Sequence, residues 1–208
     1  MTMKTSFFGL VVLLAMALVS CSKTTEMTSD EMANQLTQVE TALGQAHSWH
    51  VSSTFVADGQ HSSHMEEDFG CPSNYHRVGK VIDGRTMPEE IIATDSGLFY
   101  REHNLWSVSH QPPNDYCANG PAAAFSPLAQ TLEGMKKSTT MKKGEIQIID
   151  GASCRDFDFI GIANPHPKWG SLCIDEETNL PYEYRYGNNV YRFSKWNEPV
   201  TLEPPPVS

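Results

Sequence analysis

Alternating apolar and polar residues between Gly151 and Pro205 predict two consecutive β-hairpins. In the first, placing Cys154 opposite Cys173 centres the turn between residues 163 and 164. Opposed Cα atoms in antiparallel strands lie about 4.5–5.5 Å apart, which suits a disulfide. This register gives one polar face, with Asp156, Asp158 and Ser171 beside the cysteines, and one apolar face, with Phe157, Phe159, Leu172 and Ile174.

Tyrosines at every second position mark the second hairpin. Tyr182, Tyr184 and Tyr186 precede a turn at residues 187–189, whose glycine and asparagines tolerate positive φ. A short turn there places Tyr184 opposite Tyr191 and Tyr182 opposite Phe193. The aromatic row has two interpretations that the sequence leaves open: part of a filled core, or the wall of a pocket for an apolar ligand.

Two stretches show a helical period instead. Residues 28–31 have the spacing of a capping box, and an apolar stripe follows until Ala46, formed by Met32, Leu36, Val39 and Leu43. A shorter helix is predicted from Ser126-Pro127, with Leu128, Leu132 and Met135 on one side, and an end near Gly134 and Lys136-Lys137.

Between and after these helices the period returns to two, with strands separated by short turns. We predict strands at residues 49–57, 75–82, 90–94, 98–102, 105–109 and 145–149, and a polar strand running through Phe69 to Cys71. The predicted fold class is α+β, an antiparallel meander with a long N-terminal helix and a short second helix.

The N-terminal segment predicts export. Residues 1–20 combine Lys4 with an apolar run from Phe7 to Val19, which is short for a bilayer span and typical of a signal peptide. We assign residues 21–28 to a tether, 29–205 to one domain and 206–208 to a tail. Without residues 1–20 the chain keeps 14 basic and 25 acidic residues, a net charge of 14 − 25 = −11, which disfavours nucleic-acid binding.

Four cysteines remain beyond Cys21, and an even number in an exported protein indicates disulfides. If Cys154 pairs with Cys173, then Cys71 pairs with Cys117 by exclusion. A zinc site is the alternative, but the cysteines have no CxxC spacing.

Catalytic and metal chemistry find little support in the sequence. It contains no Gly-x-Ser-x-Gly, no His-Glu-x-x-His and no glycine-rich phosphate loop. Two His-x-x-His pairs, 47/50 and 61/64, flank one predicted strand, but residues three apart in a strand point to opposite faces. We therefore expect no catalytic residue, no resident metal and no cofactor.

Leu18-Val19-Ser20-Cys21 resembles a bacterial lipobox. Together with EEIIATDSGLFYREHNLWSVS, IDGASCRDFDF, SLCIDEETNLPYEYR and YRFSKWNEPVTLEPP, it makes the chain similar to bacterial lipoproteins of the LolA/LolB lipoprotein-carrier superfamily, including the LppX/LprG type, over about Ser29 to Pro205. The resemblance implies acylation of Cys21 and an unclosed antiparallel half-barrel whose helices cover its concave face. It also implies an apolar cavity, which we expect to be lined by Phe55, Phe157, Phe159, Leu172, Ile174, Tyr182, Tyr184 and Tyr186.

The function expected from this resemblance is non-catalytic binding, and as a further step transport, of a lipid or other apolar ligand. The alternative is a structural lipoprotein with a filled core that binds another envelope protein. In both cases we expect the protein to be attached to a membrane through acylated Cys21. Ser22 follows that cysteine instead of the aspartate that retains lipoproteins at the inner membrane in enteric-type systems. By that analogy we expect a periplasm-facing protein of the outer membrane.

Overall fold

The computed structural model describes residues 24–56, 62–80, 89–109, 126–137, 140–161 and 168–206. These residues form two helices and one sheet of twelve antiparallel strands. The helices are α1 (Ser29–Gln45) and α2 (Ser126–Lys137). The strands are β1 (Thr25–Glu26), β2 (Ser48–Val56), β3 (Ser62–Gly70), β4 (Asn74–Lys80), β5 (Glu90–Thr94), β6 (Gly97–Glu102), β7 (Leu105–Ser109), β8 (Met141–Ile149), β9 (Ala152–Gly161), β10 (Lys168–Ile174), β11 (Pro181–Tyr186) and β12 (Asn189–Ser194).

The order of the strands leaves the sheet open. It runs β1-β8-β9-β10-β11-β12-β2-β3-β4-β5-β6-β7, so β7 forms one edge, and β1 with the rest of β8 forms the other. Almost every neighbouring pair is a hairpin of sequential strands; the exception at the centre is the pairing of β12 with β2, which joins the two halves of the chain. This is the predicted α+β half-barrel that does not close.

Helix α1 begins and ends where its sequence predicts. Thr28 is the N-cap: its hydroxyl accepts a hydrogen bond from the Glu31 N–H, and the Glu31 carboxylate accepts one from the Thr28 N–H at 2.8 Å. Leu36, Val39 and Leu43 of the predicted stripe are buried against the sheet. Burial of each such side chain contributes about 1.5–3 kcal/mol, so packing on the sheet holds the helix in place.

Helix α2 also matches its predicted bounds, with Leu128, Leu132 and Met135 all buried. These residues belong to the same hydrophobic core as the α1 stripe and the apolar face of β9 and β10. The two helices therefore cover one face of the sheet, and the opposite face is polar over much of its area.

The register of β9 and β10 differs from our prediction by two residues. Cys173 lies opposite Asp156, whereas Cys154 was expected there. A shift of two residues keeps every side chain on its predicted face, because side chains alternate with a period of exactly two positions. In the second hairpin, the predicted pairing of Tyr184 with Tyr191 is confirmed.

Two differences concern the edge at β8. The strand begins at Met141, four residues before the predicted start, and its pairing with β9 is irregular between Lys143 and Ile146. Thr25 and Glu26, which we assigned to the tether, pair with β8 as β1. These two residues are therefore part of the sheet at this edge.

Candidate functional site

Most of the residues predicted to line a cavity lie in the packed core. Phe157, Phe159, Leu172, Ile174 and Tyr184 are buried there, together with apolar side chains from both helices. Phe55 and Tyr186 pack against this core and are partly exposed, and Tyr182 is also partly exposed. The structure thus brings most of these residues together, and the cavity itself stays a prediction.

The aromatic row lies on the helix-covered face. Tyr184 stacks on Tyr191 at 5.3 Å between ring centroids and on Tyr186 at 6.2 Å, while Phe55 meets Tyr191 edge-on at 5.4 Å. Burial raises the pKa of Tyr184, and a hydrogen bond with Thr131 of α2 partly offsets that effect. Helix α2 therefore contacts the row through Thr131, and its apolar stripe belongs to the same core as Tyr184 and Tyr191.

An open groove of about 540 Å³ runs along α1. Its described lining consists of Ser29, Met32, Ala33, Leu36, Thr37 and Glu40 of α1 and Lys136 of α2. Met32 and Leu36 also pack into the core, so the apolar floor of the groove is continuous with the interior of the half-barrel.

The rim of the groove is charged. The Lys136 ammonium lies 2.5 Å from a Glu40 carboxylate oxygen and 3.2 Å from one of Glu133, and these contacts raise its pKa. The Lys136–Glu40 ion pair joins the two helices at the groove. An apolar floor with a few charged groups at one side is the common composition of small-molecule pockets.

On the opposite face of the sheet, alternating histidines and acids form a ladder across β2, β3, β4 and β5. Nδ1 of His50 lies 2.7 Å from Asp68, and Nε2 lies 2.7 Å from Glu66. Nε2 of His76 lies 2.9 Å from Glu90. We call this set the histidine–carboxylate ladder; it consists of His50, His64, His76, Glu66, Asp68 and Glu90.

The ladder shifts the pKa values of its members. Hydrogen bonding to Asp68 raises the pKa of His50 and of His76 despite their partial burial, and the two histidines lower the pKa of Asp68. The ladder is a chain of pairs rather than a ring of donors: within the described residues, no group of three or more His, Cys, Asp or Glu side chains is arranged to hold a metal ion.

The disulfide between Cys154 and Cys173 is present, with Cα atoms 5.4 Å apart. Cys71 is also disulfide-bonded. Its predicted partner Cys117 lies outside the described residues, as does the predicted acylation site Cys21. Cys154 and Cys173 are both buried.

Several residues of interest were not singled out from the sequence. From the sequence, Lys136 was interpreted only as a marker of the end of the second helix. Ile146 and Ile148 were interpreted only as members of the strand predicted at residues 145–149. The exposed fraction of Ile148 is 78%. A sequence signal existed for the ladder: once the β2–β3 and β3–β4 registers are drawn, Asp68 falls between His50 and His76.

No helix in the described part of the chain is both long and apolar enough to cross a bilayer.

The chain is similar to several solved structures. LprF from Mycobacterium bovis matches with a TM-score of 0.59 at 15% identity, over 86% of this chain and 98% of that chain. The Pseudomonas aeruginosa MucA/MucB complex matches at a TM-score of 0.43 and 13% identity, over 83% of this chain and 59% of that chain. A LolA superfamily protein from Nitrosomonas europaea matches with a TM-score of 0.28 at 7% identity, over 84% of this chain and 94% of that chain.

No protein-family profile and no curated protein sequence matches the chain. At 15% identity the likeness to LprF concerns the fold alone. The open sheet, the two helices on one face and the extent of the match to LprF together confirm the predicted unclosed α+β half-barrel.

Proposed function

We propose that this protein is a non-catalytic envelope lipoprotein that binds a lipid or another apolar molecule at the concave side of its half-barrel. The observation that carries the proposal is the groove along α1, whose apolar floor of Met32 and Leu36 continues into the core. Its volume of about 540 Å³ lies within the range of roughly 300–1,000 Å³ typical of ligand pockets.

The groove suggests how an amphipathic ligand binds. An acyl chain lies against Met32, Ala33 and Leu36, where it removes apolar surface from water at about 25 cal/mol per Å². The polar end of the ligand faces Lys136 and Glu40 at the rim. Because that ion pair is solvent-exposed, exchanging one of its contacts for a headgroup contact costs little.

Attachment to the membrane is proposed through Cys21. Several acyl chains on this residue, palmitate among them, hold a protein at a membrane firmly, whereas one chain alone binds only marginally. The proposed location is the periplasmic side of the outer membrane. An acidic chain, of net charge −10 before removal of the signal peptide, gains little from anionic headgroups and therefore depends on the acyl anchor.

The proposal is tested with a soluble form that begins at Ser22 and is exported without lipidation. Native mass spectrometry identifies any lipid that co-purifies, and a fluorescent fatty acid measures uptake. Ala33→Trp fills the groove and should weaken uptake at least tenfold. Asn34→Trp is the matched control, since Asn34 is exposed on the same helix and does not line the groove. Absence of both co-purified lipid and uptake in the parent protein would refute the proposal.

A second candidate function rests on the packed core. Phe157, Phe159 and Tyr184 are buried in one core, so the half-barrel is filled by its own side chains at these positions. This favours a structural lipoprotein that binds another envelope protein through its outer surface. Crosslinking in cells followed by affinity capture separates the two candidates. One stoichiometric protein partner, with no lipid on the purified protein, supports the second candidate.

A further inference from the structure

The β8–β9 hairpin exposes two isoleucines. Ile146 lies opposite Arg155 and Ile148 opposite Ser153, so both share the face of Phe157, on the concave side of the sheet. Neither belongs to the core that the helices cover, and their exposed fractions are 51% and 78%. Two large aliphatic side chains exposed on one face of a hairpin are costly in water and mark a contact surface.

The N-terminal strand shows what lies next to this hairpin. Thr25 pairs with Lys143 and Glu26 with Lys142, so β1 and β8 are antiparallel. The chain entering Thr25 therefore comes from the side of β8 that leads to Ile146 and Ile148. Cys21 precedes Thr25 by four residues, and at about 3.3–3.6 Å per residue it lies within about 14 Å of Thr25.

Ile148, near the turn of the hairpin, lies at a comparable distance from the point where β1 pairs with β8. Ile148 is five residues beyond Lys143, or about 16 Å along the strand. Chain length thus allows acyl chains on Cys21 and the exposed isoleucines to reach the same lipid surface.

We infer that the β8–β9 hairpin is a second membrane contact, with Ile146 and Ile148 entering the lipid surface that holds the acyl chains of Cys21. The inference rests on the anchor of the proposed function and goes beyond its ligand site. The neighbouring charges favour an apolar rather than an electrostatic contact, since exposed Lys143 and Glu145 have opposite signs. The contact fixes the orientation of the half-barrel on the membrane, whereas the acyl anchor alone leaves it free to tumble.

The test uses the full acylated protein in phosphatidylcholine vesicles, with the fluorophore NBD attached at Ile148→Cys. Leu105→Cys is the matched control, because Leu105 is similarly exposed, at 67%, but lies on the edge strand β7 at the other end of the sheet. Brominated lipid should quench the probe at position 148 several-fold more than the probe at position 105. Equal, weak quenching at the two positions overturns the inference.

Mass analysis of the same samples separates this inference from the proposed function. Acylated Cys21 with an unquenched probe at position 148 overturns the hairpin contact and leaves both anchor and groove standing. Unmodified Cys21 overturns the anchor and the hairpin contact together. In the soluble form, Ile146→Ser/Ile148→Ser should leave fatty-acid uptake unchanged within twofold. A large loss of uptake would place the isoleucines in the ligand site and contradict their assignment to the membrane.

Discussion

Replacing the Cys154–Cys173 disulfide by two alanines should destabilise the domain by an amount that follows from the length of the closed loop. The cysteines are 19 residues apart. In the chain-entropy treatment, a loop of that length removes about 11 cal/mol/K from the unfolded chain, which corresponds to about 3 kcal/mol at 25 °C. For a domain of this size each kcal/mol shifts the melting temperature by about 2–4 °C, so we expect a decrease of about 6–12 °C.

The assay is thermal unfolding of the soluble form without reductant, since a reductant also acts on the disulfide of Cys71. Cys154→Ala, Cys173→Ala and the double variant form a cycle. If the covalent bond is the source of stability, each single variant loses about as much as the double variant, because either substitution breaks the same bond. If packing of the two buried side chains is the source, the two single losses add up.

The refuting result is a double variant that melts within about 2 °C of the parent, on the scale set by the domain size. It would mean that residual pairing of the β9 and β10 segments in the unfolded chain restricts that chain as much as the disulfide does. Circular dichroism of the double variant should still show the native sheet and helices, since the hairpin register is also supported by the buried face of Phe157 and Leu172.

Two further predictions concern the two faces of the sheet. The pKa of His50 is raised in the folded state, so its contribution to stability is complete below about pH 6.5 and is lost as the pH rises through the folded-state pKa. The pKa of Asp68 is lowered, so its contribution is present above about pH 3.9 and is lost as the pH falls through the folded-state pKa. Urea unfolding should therefore be hardest between about pH 4 and 6.5, and His50→Gln should flatten the alkaline decrease; an unchanged slope contradicts this. Gly170→Ala should cost about 1–3 kcal/mol, because its Cβ would lie 2.5 Å from Cζ of buried Phe159, whereas Gly44→Ala, with nothing within 4 Å, serves as the control.

The sequence predicts the faces of the strands better than their registers. The Cys154–Cys173 hairpin is shifted by two residues, yet all its side chains lie on the expected face. Alternation cannot distinguish two registers that differ by an even number, and a disulfide forms across a diagonal pair as well as a direct one when the Cα atoms are within reach. Tyr184 and Tyr191 were placed correctly because Gly187 and Asn188 form a two-residue turn that leaves one register.

Polar clusters built across strands are harder to predict from local pattern. His50 and His64 were considered with the histidines three positions away, which a strand directs to opposite faces. The partners of His50 are Asp68 and Glu66 on the neighbouring strand β3, and His64 pairs with Glu66 two positions along its own strand. Likewise, β8 was predicted to start late because Lys142, Lys143 and Gly144 interrupt the alternation, although the pairing with β9 includes Lys142 and Lys143.

Whether the half-barrel holds a ligand depends on a quantity that alternation does not encode, the fit of the helices onto the sheet. Leu128, Leu132 and Met135 are buried in the same core as Tyr184 and Tyr191, and Thr131 forms a hydrogen bond with Tyr184. A ligand in the α1 groove leaves these contacts intact, whereas one that reaches Tyr184 must first move α2 away from them. The free energy of that movement lowers the observed affinity of a ligand that binds at Tyr184, whereas the affinity of a ligand in the groove is unaffected. Groove binding is therefore the mode that the packed structure supports at the lowest cost.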